Sequence, residues 1–345
     1  MELLKKLTET PGVPGREERI REVIQQETED LFDETEIDAL GNFVGHVKPG
    51  KSKGKSRKTA QKVMLACHID EIGFYVKHID NNGFLRLQNV GGFDTRNLFA
   101  RRVLVQGKKD LLGVLNPSGR PIHIATDEEK KKTYQVGEFF VDLFMTKKQV
   151  ERWVQIGDPV TLVQPLEEIG DAYNGKCMDN RIASWVAINA LRKVAGKSPY
   201  DIYYAATVQE EVGCRGAGPS AFGIEPDIGI AIDTTLCCDT PGIDEAESIT
   251  KFGQGVALKV MDAGSISHRG LIDEFVSVAK TKKIAHQMEI LPLGATDAAT
   301  VQRAGVGRKT MTLSVPTRYV HTITESVHKK DLKSAVDLLA AWLMK

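Results

Sequence analysis

The segment Val63-Met64-Leu65-Ala66-Cys67, followed at once by His68-Ile69-Asp70-Glu71, decides how this chain is read. Its apolar part is short and continuous, as in a parallel strand buried on both faces. It stops abruptly in polar residues, as such a strand does where its carboxyl end meets a crevice. Upstream, Ile20, Val23, Ile24 and Leu31 recur at helical spacing behind the turn signal Pro11-Gly12-Val13-Pro14-Gly15, which predicts a helix over 15–31. Residues 36–47 predict a strand pair broken at Leu40-Gly41-Asn42. The stretch 48–62, rich in Lys, Ser and Gly and without an acidic residue, predicts a solvated hairpin tip.

Downstream the texture changes. Short alternating stretches at 74–79, 84–90, 103–106, 111–115 and 159–163 sit between Gly-, Asn- and Asp-containing turns and predict a small all-β domain inserted over 72–166. Helix and strand patterns then resume: a helix at 181–194, strands at 202–208, 228–232 and 256–260, a helix at 270–280, a strand at 311–315 and a helix at 330–344. Ile182, Val186, Ala190 and Val194 share one helical face, as do Leu332, Val336, Leu339 and Leu343. The reading is an α/β sandwich made of 1–71 and 167–345, interrupted by 72–166.

Composition agrees with an ordinary globular chain. At roughly 150 residues per domain, 345 residues make about two domains. Forty-six basic residues balance forty-six acidic ones, which leaves no electrostatic footprint for nucleic acid or an anionic membrane surface, and neither partner is expected. No run of eighteen apolar residues occurs. The opening stretch MELLKKLTETPGVPGREE lacks an apolar segment of signal-peptide length. The cysteines, Cys67, Cys177, Cys214, Cys237 and Cys238, are odd in number and form no CxxC pair, so the expected compartment is the cytoplasm.

Five positions put metal-type ligands where predicted strands end or beside such ends: His68, Asp179 in Gly175-Lys176-Cys177-Met178-Asp179-Asn180, the pair Glu210-Glu211, Asp233 and His321. Open α/β sheets bind ligands in the crevice beyond the carboxyl ends of their strands, so these positions can converge. Two imidazoles and three carboxylates suit zinc, cobalt or manganese, and they suffice for two ions if one carboxylate bridges. Such pairs of ions hydrolyse by activating a shared water. In Glu210-Glu211, one carboxylate can bind metal while the other takes a proton. Asp70 is positioned to accept the second N–H of His68 or to cap the loop. Thiolates from Cys177, Cys237 or Cys238 are not needed to complete the set, and His268 is a candidate to line the crevice.

The segments HIDEIGF from His68, MDNR from Met178, TVQEEVGCRGA from Thr207, AIDTT from Ala231, GATDA from Gly294 and VPTRYVHT from Val315 resemble the TET-type co-catalytic metallo-aminopeptidases, a family that includes glutamyl aminopeptidases and members labelled endoglucanases. The six motifs occur in the family's order over nearly the whole chain. The resemblance implies a three-layer α/β/α sandwich of the dinuclear-zinc exopeptidase type, with the β-barrel-like insert serving dimerisation and assembly into a dodecamer. It implies two divalent ions per subunit, zinc or cobalt. Asp179 then bridges, His68 and Asp233 complete one site, and Glu211 and His321 complete the other. Glu210 becomes the general base, Asp70 supports His68, and the Asp179–Asn180 bond is a candidate cis peptide. Here the family's usual Leu before the bridging Asp is Met178, and its Gly-Gly-Thr-Asp-Ala is Gly294-Ala295-Thr296-Asp297-Ala298, at the border of the pocket for the substrate's first side chain.

The implied activity is removal of N-terminal residues from peptides by a metal-bridging water that a glutamate activates. Other readings remain open on the sequence. A deacylase or carboxypeptidase on the same scaffold needs a cation for a substrate carboxylate, for which Arg181 and Arg318 are candidates. An idle peptide-binding shell would not need an unligated base, and a glycoside hydrolase would need neither the two histidines nor a bridging Asp.

Overall fold

The computed structural model describes residues 1–50 and 60–345. Helices α1 (Glu2–Glu9) and α2 (Glu18–Glu27) lead into the antiparallel pair β1 (Glu34–Ile37) and β2 (Phe43–Val47), then to β3 (Lys62–His68). Next come β4 (Gly73–Ile79), β5 (Leu85–Val90), β6 (Arg101–Gln106), β7 (Asp110–Pro117), α3 (Asp127–Lys130), β8 (Phe139–Asp142), α4 (Lys147–Val150) and β9 (Pro159–Leu162). The chain continues through β10 (Glu167–Ile169), β11 (Ala172–Gly175), α5 (Met178–Val194), β12 (Asp201–Thr207), α6 (Ala217–Ile224) and β13 (Ile228–Leu236). It ends with β14 (Val256–Met261), α7 (Arg269–Lys282), β15 (His286–Ile290), α8 (Ala298–Val301), β16 (Lys309–Arg318), β17 (Glu325–His328) and α9 (Lys329–Leu343).

The first and last groups of strands form one eleven-stranded sheet among the described residues, ordered β1-β2-β12-β3-β13-β16-β17-β11-β10, with β14 and β15 branching from β16. β3 lies between β12 and β13, parallel to both. Its side chains alternate between two cores. Val63, Leu65 and Cys67 pack with α1, α2, α5, α7 and α9, whereas Met64 and Ala66 pack with α6 and the region of α8. That division makes the layers of an α/β/α sandwich. His68, next in the alternation, leaves the sheet on the α6 side.

Strands β4 to β9 close into a separate barrel in the order β4-β5-β8-β7-β6-β9. Phe74, Leu85, Val103, Leu115, Val141 and Val160 belong to its continuous buried core. β8 has no counterpart in the sequence reading, because Phe139-Phe140-Val141 is an unbroken apolar run without alternation. Yet it pairs with both β5 and β7, and the circuit does not close without it.

The stretch read as a hairpin tip is corrected in part. Residues 51–59 of it lie outside the described residues, but the strands it joins, β2 and β3, are not neighbours, since β12 runs between them. No helix among the described residues is long and apolar enough to cross a membrane.

Candidate metal centre and active site

β3 and β13 carry one half of the site. β3 pairs with β13 only as far as Ala66 opposite Ala231, while β13 runs on to Leu236. Asp233 therefore lies within a strand, rather than at its end as the sequence suggested, on an edge that β3 has left open. His68 Nε2 is 3.7 Å from Asp233 Oδ1 and 3.2 Å from Asp179 Oδ1.

Loops carry the other half. Asp179 stands at the head of α5 in a non-helical conformation, joined to Asn180 by a cis peptide bond, as the resemblance suggested. His321 follows β16 with φ +62°, and Glu211 follows Gln209, which has φ +57°. His321 Nε2 lies 3.4 Å from Asp179 Oδ2 and 3.3 Å from Glu211 Oε2. The two oxygens of Asp179 thus face different imidazoles, one in each half.

Three buried carboxylates hold these loops by accepting backbone N–H groups. Asp70 takes Glu210 N and Glu211 N, each at 3.0 Å, one on each oxygen. Its distance to His68 Nδ1 is longer, 3.5 Å, so its main contacts are with the glutamate loop rather than with the imidazole. Glu325 accepts His321 N at 2.7 Å and Asp179 N at 3.0 Å. Glu17 accepts Gln209 N at 3.2 Å and Gly15 N at 2.7 Å. Neither Glu17 nor Glu325 was a sequence candidate.

The electrostatics follow from crowding acids in a dry place. Burial pushes the Glu210 carboxyl well above the usual range, with Asp233, Asp297 and Glu211 adding to it. Burial likewise raises Glu211 and Asp233. Burial alone would depress both imidazoles. The surrounding carboxylates outweigh it, Glu210 and Asp179 foremost at His68, which is held well above its ordinary value, and Asp179 and Glu211 at His321, which is raised to about 12. Glu325 is lifted to about 8 and Glu17 to about 7, both chiefly by burial.

The donor set fits divalent metal. His68, Asp179 and Asp233 form one cluster and Asp179, Glu211 and His321 a second, with the ligand atoms of each within 4.8 Å of one another. The 3.2–3.7 Å between donors compares with about 3.4 Å for the edge of a tetrahedron with bonds of roughly 2.0–2.1 Å. Glu211 Oε1 and His68 Nδ1 are buried without hydrogen-bond partners, and a cation at the clusters would offset the repulsion among the carboxylates. Glu210 belongs to neither cluster. Its Oε2 lies 3.8 Å from His68 Nε2 and its Oε1 accepts from Cys214 Sγ at 3.2 Å.

The remaining candidates lie elsewhere. Cys177, Cys237 and Cys238 join neither cluster; Cys177 Sγ meets Glu71 at 2.8 Å. Exposed His268 caps α7, and its N–H bonds Thr310 O near the start of β16, away from the strand end that leads to His321, so it does not line the crevice. Arg181 is buried against Leu7 O and Thr10 O, and Arg318 pairs with Asp239 at 2.8 Å, so neither is available in the crevice for a substrate carboxylate. Cys214 sits inside a motif the sequence displayed but went unassigned there, and Asp297 was expected only at the border of the pocket for the substrate's first side chain. Asp297 is buried, bonded to Thr207, and raised to about 6 mainly by burial.

Comparison with known proteins converges with this geometry. The sequence matches the M42 glutamyl aminopeptidase family over residues 50–338. The lysyl aminopeptidase of Pyrococcus furiosus is 33% identical over 351 residues, covering 99% of this chain and 96% of the relative. The solved aminopeptidase APDkam598 of Desulfurococcus kamchatkensis superposes with a TM-score of 0.93 at 34% identity, covering 99% of this chain and 94% of that one. The Pyrococcus horikoshii TET1 peptidase, described as assembling into a tetrahedron or a large octahedral shell, gives 0.86 at 30% identity with 99% and 98% covered. The chain belongs to the M42 family of TET-type aminopeptidases.

Proposed function

We propose that this metal-dependent aminopeptidase works with two divalent ions, zinc or cobalt, one held by His68, Asp179 and Asp233 and the other by Asp179, Glu211 and His321. The observation that carries this reading is Asp179, whose oxygens face the two imidazoles separately, beside a glutamate that belongs to neither cluster. When bound, such ions lower the pKa of water and polarise a scissile carbonyl. Glu210 accepts a proton from the attacking water and delivers it to the departing amine nitrogen, a transfer that suits a carboxyl whose pKa burial has raised. Asp70 fixes the backbone from which both glutamates project, so the base and its ligating neighbour keep separate directions.

The substrate in this reading is a peptide with a free amino terminus, and the setting is the cytoplasm. The domains are 1–71 with 167–345 for catalysis and 72–166 for self-association into a dimer that builds a dodecamer. Supporting the last assignment, the barrel region exposes large apolar side chains, among them Phe144 at 78%, Ile124 at 67% and Leu112 at 61%.

The test is release of free amino acid from aminoacyl anilides and their N-acetylated controls. It is run on apo-protein, on protein reloaded with Zn²⁺ or Co²⁺, and on the Glu210→Gln variant. Metal-restored cleavage of free-amine substrates alone is expected. Equal cleavage of the acetylated controls, or turnover that survives chelation, would contradict the proposal.

A further inference from the structure

The crevice that opens onto the metal clusters, about 420 Å³ in volume, is also lined by Leu236, Leu291, Leu293, Ala295 and Val320. Resting on the aminopeptidase reading, the part of the substrate that must enter there is the side chain of its first residue, since the scissile carbonyl lies at the clusters. The wall is largely hydrocarbon. Its charged member on that side is Lys259 of β14, only 1% exposed.

Lys259 is already matched. In the sheet register it stands directly opposite Glu289 of β15, with Nζ 3.3 Å from Glu289 Oε1 and 3.4 Å from Asp262 Oδ2. Glu289 is fully buried and does not line the crevice; its Oε1 also accepts from Thr235 Oγ1 at 2.5 Å. Asp262 is shared with the N–H groups of Gly264 and Ser265. An acidic substrate side chain would therefore be the third carboxylate on one ammonium. A basic one would meet the Lys259 ammonium before reaching the carboxylate behind it. Each would be desolvated against a wall whose one ammonium is already shared between two carboxylates, whereas an apolar side chain meets leucine and valine.

We infer that this enzyme selects a neutral, apolar N-terminal residue and disfavours both acidic and basic ones, with the buried Lys259–Glu289–Asp262 cluster setting the charge behind the wall. The pair makes opposite errors when either member is lost. Glu289→Gln keeps the shape and the Thr235 contact and leaves Asp262 as the one carboxylate in contact with Lys259, so an acidic side chain is repelled less than in the wild type. Lys259→Met leaves Glu289 unmatched, which favours basic ones.

The experiment measures kcat/KM of the metal-loaded enzyme on leucyl, methionyl, glutamyl and lysyl anilides. Wild-type protein is expected to prefer the leucyl and methionyl substrates over both charged ones by about 10-fold or more, the scale of discrimination that pocket contacts supply. Glu289→Gln is expected to raise the glutamyl-to-leucyl ratio about 10-fold, and Lys259→Met the lysyl-to-leucyl ratio similarly. The wild-type panel needs no variant to fold. A wild-type preference for glutamyl or lysyl substrate would overturn the inference while leaving the aminopeptidase reading intact, as would unchanged ratios in folded variants. Silence toward every free-amine substrate would overturn both.

Discussion

The two halves of the candidate centre are built differently. His68 and Asp233 come from β3 and β13, which pair with each other as far as Ala66 and Ala231; beyond that, His68 is still paired to β12 and Asp233 to β16. Glu211 and His321 come from loops whose backbones enter the left-handed region at Gln209, Cys214, Tyr319 and His321. The strand half needs no further support than the sheet. The loop half is held instead by Glu17, Asp70 and Glu325, whose carboxylates occupy backbone N–H groups. Precision on loops is obtained here by burying acid, and the loops' geometry depends on those carboxylates while the strands' does not.

The largest expected effect separates chemistry from either half. Glu210→Gln preserves shape and should lower kcat by about 10²- to 10⁴-fold with metal content unchanged, read by turnover alongside elemental analysis. Loss of metal in that variant would place Glu210 among the ligands.

Glu17 offers a pH test of the loop half. Its pKa rises from near 4.5 to about 7 on folding, so the folded state holds an extra proton between those values. The associated stability is complete below about pH 4.5 and is lost as pH rises through 7, to a total of up to about 3 kcal/mol. Denaturant titrations of metal-loaded protein should show the wild type losing that amount relative to Glu17→Gln between about pH 5 and 8. Parallel pH curves would remove Glu17 from this role.

Glu325→Gln sharpens the contrast further. It should weaken the second metal equivalent about 10- to 100-fold in calorimetric titration, the usual scale for a support behind a ligand, and the first by less, because Glu325 holds the His321 N–H and also that of the shared Asp179. Equal weakening of both would mean the halves are not independent. The smallest effect belongs to the joint between the bodies: Arg19 of α2 pairs through both nitrogens with Asp110 of β7, at 2.7 and 2.8 Å, but on an exposed surface. A double-mutant cycle on this pair should return about 0.2–1 kcal/mol.

Legibility from sequence follows the same division. β3, β12, β13, β14 and β16 were readable because buried parallel strands and their amphipathic partners α5, α7 and α9 imprint long apolar patterns. α6 was hidden because it contains Gly218, Pro219 and Gly223, with the proline tolerated in its first turn. β8 is an unbroken apolar run without alternation, and β10, β11 and β17 carry neither a sustained apolar run nor alternation. At the site, His68, Asp179, Glu210, Glu211, Asp233 and His321 were visible through their motifs, and the structure brings them together. Glu325 left no trace because both of its contacts, to His321 four residues before it and to Asp179 146 residues away, are to backbone N–H groups, which require nothing of the partner's side chain. Lys259 and Glu289 were equally silent, since only the β14–β15 register makes them a pair.

The account rests on one carboxylate serving both halves, and metal content tests it most directly. Elemental analysis of protein reloaded with Zn²⁺ should give two ions per chain for the wild type and fewer than one for a folded Asp179→Ala variant, because both clusters lose a ligand at once. One ion per chain in the wild type, or two retained without the Asp179 carboxylate, would contradict a shared two-metal centre.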